Sequence, residues 1–517
     1  MASTNIDNWN GQGTVPPSNG EYMDVTSPIN GSVIGRVAVS SAADVSAAVD
    51  RASEAFGPWS SRTIKSRAAV MFKFHQLLID HAEELADIVI KENGKNRAEA
   101  LASIAKGNET VEYACSLPQL VQGKKEEVSR GVYCEDNREP LGIVGTIVPF
   151  NFPIMVPMWT VPISLTMGNC VILKPSEKVP MTMARVAQLL LEAGVPPGVF
   201  QMVNGTKDVV EALCDHPRIR GVTFVGSSPV AELVSHRCRK LNKKVIALGG
   251  AKNHLVVLPD CELNSAATDI VTSFAGAAGQ RCMAASVLLI VGDEGSSGQV
   301  LDKVVAKASE LMAGVGPGQV GPVIDEGAKQ RILGYINNSI EKDGATCLVD
   351  GRSWATGGGG PGAVAGGSWV GPTILLHKSA QDAAVREEIF GPVLSVVKVA
   401  SWEEALQIEN SNPFGNAACI YTSVGAHANW FSSRFNAGMI GVNVGIPVPR
   451  EPFAFGGLYG TQSKFGDMDI TGEGAIEFFT NRRKVTSRWP CDLSSKISAP
   501  TKPAAAEKDV ANFNGQM

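Results

Sequence analysis

Residues 141–177, LGIVGTIVPFNFPIMVPMWTVPISLTMGNCVILKPSE, hold two short apolar runs, GIVGTIV and NCVILKP, that read as strands. Working outward, MARVAQLLLEAG at 183–194 has helical spacing and stops on a glycine, while FQMV, GVTFVG, KVIAL and HLVVL extend the strand set as far as Leu258. Short apolar strands alternating with helices predict a doubly wound α/β sheet. Upstream, Ala42 to Asn93 is helical by its three- and four-residue spacing of apolar side chains. Downstream, a second α/β region is expected from near Pro259 to about Val444. Within it the glycine-dense stretch 351–369 is expected to be a flexible surface hairpin. Gly316 to Gly321 matches a dinucleotide-loop pattern by letter, but Pro317 and Pro322 interrupt it, so it reads as a turn.

A chain of 517 residues suits two or three lobes. Apolar residues at 44% and charged residues at 19% describe an ordinary globular protein. The formal net charge of −5, with both signs interspersed, offers no field for nucleic acid or an anionic membrane. Ten dispersed cysteines without a CxxC pair point to reduced thiols, and seven scattered histidines give no zinc-site spacing, so no metal is expected. A cytoplasmic chain is expected, or a mitochondrial-matrix one if a transit peptide has been removed; residues 496–517 read as a loose tail.

In FAGAAGQRCMAAS, 274–286, Cys282 follows small residues and Arg281. Small neighbours let a carbonyl approach the sulfur, and a cation favours thiolate. On local composition alone a packed core cysteine is the leading reading. The set VPFNFP (148–153), KPSE (174–177), FVGS (224–227), GQRC (279–282) and EEIFGPV (387–393), in this order, resembles the aldehyde dehydrogenase superfamily from about Tyr22 to Trp489.

The resemblance implies a Rossmann-type NAD-binding domain (1–123 and 141–253), an α/β catalytic domain (254–444) and oligomerisation segments at 124–140 and 476–492, in a homotetramer or homodimer. It implies Cys282 as nucleophile and Asn151 as oxyanion donor. The cofactor would lie on Phe150, Lys174, Glu177, Lys178, Gly226, Ser227, Glu388 and Phe390. A carboxylate at Glu177 accepts from ribose hydroxyls and repels a 2′-phosphate, which selects NAD over NADP. Ser227-Ser228-Pro229 carries a helix-start signal, and a helix start can hold a diphosphate.

Hydrolytic members of the superfamily open Glu-Leu-Gly-Gly-Lys with the base that activates water; here the stretch is Leu248-Gly249-Gly250-Ala251-Lys252. Leucine accepts no proton, which favours a thiol acceptor, coenzyme A. GAKNH (250–254), CDHP (214–217), GQRCMA (279–284) and VNVGIPVP (442–449) most resemble the acylating methylmalonate-semialdehyde dehydrogenases. That implies a malonate-type semialdehyde and decarboxylation, with Arg281 on the substrate carboxylate. The subfamily's helix arginine is Lys106 here, and Arg450 is a candidate replacement guanidinium. Two alternatives stand beside this: a hydrolytic enzyme using Glu112 or Glu388 as base, and a catalytically silent relative.

Overall fold

The computed structural model describes residues 4–292, 297–356 and 362–489. Two large sheets organise them. The first has eight strands in the order Lys464–Phe465, Lys244–Leu248, Ile219–Val225, Ile143–Ile147, Cys170–Lys174, Phe200–Met202, Asn8–Trp9, Thr14–Val15. Its five central strands run parallel. Ile143–Ile147 and Cys170–Lys174 are buried on both faces, as continuous apolar runs in a helix-covered parallel sheet must be. The helices Met155–Thr166, Met181–Ala193, Lys207–Asp215 and Ser228–Lys240 connect these strands. Met181–Ala193 stops at Gly194, which takes the left-handed conformation that favours glycine.

The second sheet has seven strands, from Thr346–Val349 through Thr373–His377, Val393–Val399, Ala285–Val291, Asn253–Val257 and Ala417–Tyr421 to Met439–Val442. The HLVVL run belongs here: Asn253–Val257 pairs with Ala285–Val291 and Ala417–Tyr421, not with the first sheet. The change of sheet therefore falls at 249–252, ahead of Pro259. Periodicity could not place it, because a buried parallel strand looks the same in either sheet.

A third, antiparallel sheet joins Lys124–Ser129, Val132–Pro140 and Thr480–Arg488. Residues Gly472–Phe478 before it are helical. The middle of the hairpin expected at 351–369 lies outside the described residues; its two ends are described. Residues 351–356 make a short 3-10 turn; Trp354 and Trp369 are buried, and the Trp369 indole N–H donates to the Ile29 carbonyl at 3.0 Å. Two indoles are more stable inside than on a surface loop, and they anchor residues 354 and 369 at either end. Residues 357–361 and the expected tail lie outside the described residues. Gly316–Gly321 is a turn, with the Gln319 amide donating to the Gly316 carbonyl at 3.2 Å.

Candidate active site

A cleft of about 760 Å³ opens between the two large sheets. It lies at the carboxyl ends of the parallel strands, where a doubly wound sheet leaves room for ligands. Phe150, Asn151, Lys174, Glu177, Lys178, Gly226, Ser227, Cys282, Glu388 and Phe390 all line it. Residues up to 240 positions apart in the chain are thus on one wall or the other.

At one end, the strand Cys170–Lys174 delivers Lys174, whose Nζ donates to Glu177 at 2.9 Å and to the Pro175 carbonyl at 3.0 Å. Burial acts to raise the Glu177 carboxyl, but Lys174 beside it outweighs burial and holds it below the usual carboxylate range. Lys178 pairs with Asp325, which caps the helix Glu326–Glu341, and its Nζ stands 5.5 Å from the Phe150 ring centre. Along the middle, the helix Ser228–Lys240 begins with proline in its first turn and no side-chain cap. The expected Ser227 cap does not form. Ser228 Oγ instead donates to the Gln462 carbonyl at 2.7 Å and accepts from the Gly250 amide at 2.9 Å. The helix start therefore faces the cleft with its positive dipole end uncapped.

At the other end stands Cys282, half-buried on the floor. Its own amide and that of Met283 point at the sulfur. Asn151, 5% exposed, donates one amide hydrogen to the Gln280 carbonyl at 2.9 Å; an amide has a second to offer. Desolvation by the surrounding protein, and next the Glu388 carboxylate, push the thiol up to about 12. Arg281 acts in the expected direction but is outweighed. Burial therefore favours the neutral thiol of Cys282 over its thiolate. Glu388 is itself raised by burial, against the Ala251 amide that donates to it at 2.9 Å.

The three expected substrate cations are outside this cleft. The Arg281 guanidinium is turned onto the end of the helix Leu263–Ala275, donating to the Thr272 and Ser273 carbonyls at 2.7 and 2.9 Å. Exposed carbonyls at a helix end attract a guanidinium. Lys106 lines a narrow second cavity with Trp159 and Phe455, and Arg450 stands on its rim, 72% exposed. Leu248 is 4% exposed and packed into the core; Gly249 and Gly250 form the cleft wall beside it. Glu112 is exposed and does not line the cleft, so it is no base for Cys282.

Several residues were invisible to motif reading. Asn253 and Asn416 both donate to the Cys282 carbonyl, at 2.8 and 2.9 Å, and pin the nucleophile from a separate strand and loop. Lys252, wholly buried, donates to the Ala384 carbonyl at 2.7 Å and is lowered to about 7 by burial. Ala277 and Ala278 have φ of 52° each. Gly279, with φ of 68°, lies where a Cβ would come within 2.1 Å of the Gly391 carbonyl. Lys252 and Asn253 lie within the GAKNH motif, which gave them no role; nothing local marked Asn416.

Residues 15–485 match the model of the aldehyde dehydrogenase family. The chain belongs to the aldehyde dehydrogenase family. Among curated relatives, this aldehyde dehydrogenase is similar to malonate-semialdehyde dehydrogenase 2 of Bacillus thuringiensis subsp. konkukian. The two are 42% identical over 90% of this chain and 94% of the relative. The enzyme of the same name from Geobacillus kaustophilus is 41% identical over 94% and 99%. Among solved structures, an NAD complex described as methylmalonate-semialdehyde dehydrogenase from Sinorhizobium meliloti 1021 superposes with a TM-score of 0.92. It has 38% identity and covers 95% of this chain and 100% of the other. Methylmalonate-semialdehyde dehydrogenase from Oceanimonas doudoroffii has a TM-score of 0.90, 38% identity and 94% and 99% coverage.

Proposed function

We propose that this aldehyde dehydrogenase oxidises malonate or methylmalonate semialdehyde with NAD and passes the acyl group to coenzyme A, releasing carbon dioxide. The observation that carries acyl transfer is the wall beside Cys282: a core-facing Leu248 followed by two bare glycines. No carboxylate is offered to water from that strand. Glu388 remains, half-buried in the cleft, with its Oε1 held by the Ala251 amide. Water attacks a thioester slowly without a base, whereas a thiol is already partly thiolate near neutral pH. The names of the relatives support the substrate class.

The cleft's donor set fits NAD. Lys174 and Glu177 would hold the adenosine ribose, the uncapped start of Ser228–Lys240 the diphosphate, and Glu388 the second ribose, with Phe150, Phe390, Lys178 and Gly226 framing them. Bound NAD supplies the hydride acceptor. Cys282, once deprotonated, bonds to the aldehyde carbon, and the oxyanion is held by Asn151 Nδ2 and the backbone amide of Cys282. Hydride loss turns that adduct into a thioester on Cys282. The substrate carboxylate, β to the thioester carbonyl, leaves as carbon dioxide; its bonding electrons pass to the adjacent carbon, which takes a proton. The coenzyme A sulfur then bonds to the acyl carbon and the Cys282 sulfur leaves. Lys106 and Arg450 would meet the substrate carboxylate on its way in; Arg281, tied to a helix end, would reach it only after releasing those carbonyls.

We assign the sheet of residues 124–140 and 480–488 to subunit pairing in a dimer or tetramer, and the enzyme to the cytoplasm, where thiols stay reduced. The test is to supply both semialdehydes and propanal, with and without coenzyme A, reading NADH by absorbance and products by mass. Acetyl-CoA and propionyl-CoA with carbon dioxide are expected. Carboxylic acid formed at full rate without coenzyme A would overturn acyl transfer.

A further inference from the structure

Asn151 is held from behind by a turn that no motif marks. The helix Ala82–Asn93 ends at Gly94, which takes left-handed backbone at φ 81°, and the helix Arg97–Leu120 starts from Asn96. A Cβ at Gly94 would come within 2.7 Å of Pro322 Cγ, so the turn packs closely against the segment that holds Pro322. From this turn two buried side chains, each 4% exposed, reach the residues on either side of Asn151. Asn93 donates to the Phe150 carbonyl at 2.8 Å. Lys95 sets its ammonium 4.5 Å from the centre of the Phe152 ring. Burial pushes Lys95 down to about 8 while Glu99 acts to hold it up, so the ammonium is still the majority form at pH 7.

We propose that Asn93 and Lys95 are positioning residues for the oxyanion hole: they grip the chain neighbours of Asn151 and fix where its free amide hydrogen points. This rests on the reading of Asn151 as oxyanion donor above. The Phe150 carbonyl shares one planar peptide unit with the Asn151 amide, so fixing the carbonyl orients the backbone that carries Asn151. The Lys95 ammonium holds the Phe152 ring, an attraction that strengthens when both partners are out of water. The same turn also steadies the acceptor of Asn151. Asn96 Nδ2 donates to the Gln319 carbonyl at 2.8 Å, and a few residues on the Ile324 amide donates to Gln280 Oε1 at 2.9 Å. The Gln280 carbonyl in turn takes the other Asn151 hydrogen. Neither Asn93 nor Lys95 is assigned a contact with a reacting atom; both act through Asn151. A donor stabilises an oxyanion only where it is aimed, and a misplacement of about 1 Å can cost about 100-fold in rate.

The test follows NADH formation in a single turnover of the full chain with NAD, using malonate semialdehyde and, separately, propanal, without coenzyme A. It compares wild type, Asn93→Ala, Lys95→Met, Asn151→Ala and the two double variants that combine each turn variant with Asn151→Ala. Asn93→Ala and Lys95→Met should each slow the burst about 5- to 50-fold, with NAD affinity by calorimetry within about two-fold of wild type. In the Asn151→Ala background neither should slow it further by more than about two-fold, because the donor they aim is gone. Equal slowing with and without Asn151 would overturn the proposal, since the turn would then act on the fold at large. A wild-type burst in both turn variants would overturn it as well. Should Lys95→Met fail to fold, Asn93→Ala with and without Asn151 carries the same decision. Failure of the oxyanion reading looks different: Asn151→Ala alone would then keep the wild-type burst, and the proposal would fall with that reading.

Discussion

Cys282 stood out as a candidate nucleophile only through the family motifs elsewhere in the chain, and its ionisation was not legible at all. The sequence places a cation directly before it; folding turns that cation onto the helix end at Thr272 and Ser273 and brings Glu388 into electrostatic range instead. With the thiol near 12, only about one molecule in ten thousand carries thiolate at pH 8. The cofactor-free enzyme should therefore react slowly with iodoacetamide at Cys282, and the rate should rise steadily through pH 9. Removing the facing charge with Glu388→Gln lowers the thiol pKa, so labelling at pH 8 should accelerate about three- to ten-fold. Mass spectrometry of the Cys282 peptide reads this directly; an unchanged or slower rate would show that Glu388 does not set the acidity of the sulfur.

The element that aims Cys282 is the short turn after the helix Leu263–Ala275, where Ala277 and Ala278 take left-handed backbone at φ 52°. Such a conformation costs an alanine about 1 kcal/mol or more, and it persists only where surrounding contacts enforce it. One enforcing contact comes from a different helix. Glu99, in the first turn of Arg97–Leu120, accepts from the Ala277 amide at 2.7 Å through Oε1 and from the Asn96 amide at 3.4 Å through Oε2. It completes the capping box of its own helix while holding the strained turn. Glu99→Ala should destabilise the protein by about 1–3 kcal/mol, measured by urea unfolding. It should also lower kcat about ten-fold or more while leaving the KM for NAD near its original value, because nucleophile placement is lost and the adenosine end is untouched. An equal loss in both parameters would mean that the helix, not the turn, depends on Glu99.

Across the whole molecule, two buried carboxyls tie elements together and make stability depend on pH. Glu92, fully buried, accepts from the amides of Met181 and Thr182 at the start of a neighbouring helix, at 2.7 and 2.9 Å. Glu409, 3% exposed, accepts from the Asn436 amide at 3.1 Å. Burial raises each to about 7 from an ordinary 4.5. Between those values these two carboxyls bind protons in the folded chain that the unfolded chain has released, so their contribution to stability falls as pH rises from about 4.5 to 7 and levels off above. The contribution of each is at most about 3 kcal/mol. Glu477 is held near 2, first by Arg482, so its contribution is lost only on acidifying below about 4.5, outside this window. Buried His254, lowered to about 3, acts in the opposite sense below pH 6.5 in wild type and variant alike. The difference in urea midpoint between wild type and Glu92→Gln should therefore shift in favour of the variant as pH rises from 5 to 7.5; a difference that stays constant with pH would reject the assignment.

What the sequence determined by itself was the class of architecture and the membership of the site. Short buried strands alternating with helices specify a doubly wound sheet because side-chain period and length are local properties. Cys282, Asn151, Lys174, Glu177, Ser227 and Glu388 could be named because each sits in a compact motif that resembles the family, and all of them line one cleft. Only the tertiary structure decided which sheet took HLVVL, that the Trp354 and Trp369 indoles would be buried, and that Glu109 would pair with both Lys106 and Arg450. It also decided that Asn416, 134 positions from Cys282, would grip its carbonyl. The reason is physical: hydrogen bonds, ion pairs and desolvation depend on distances between residues far apart in the chain, and no local pattern encodes those distances until the two sheets close on one another.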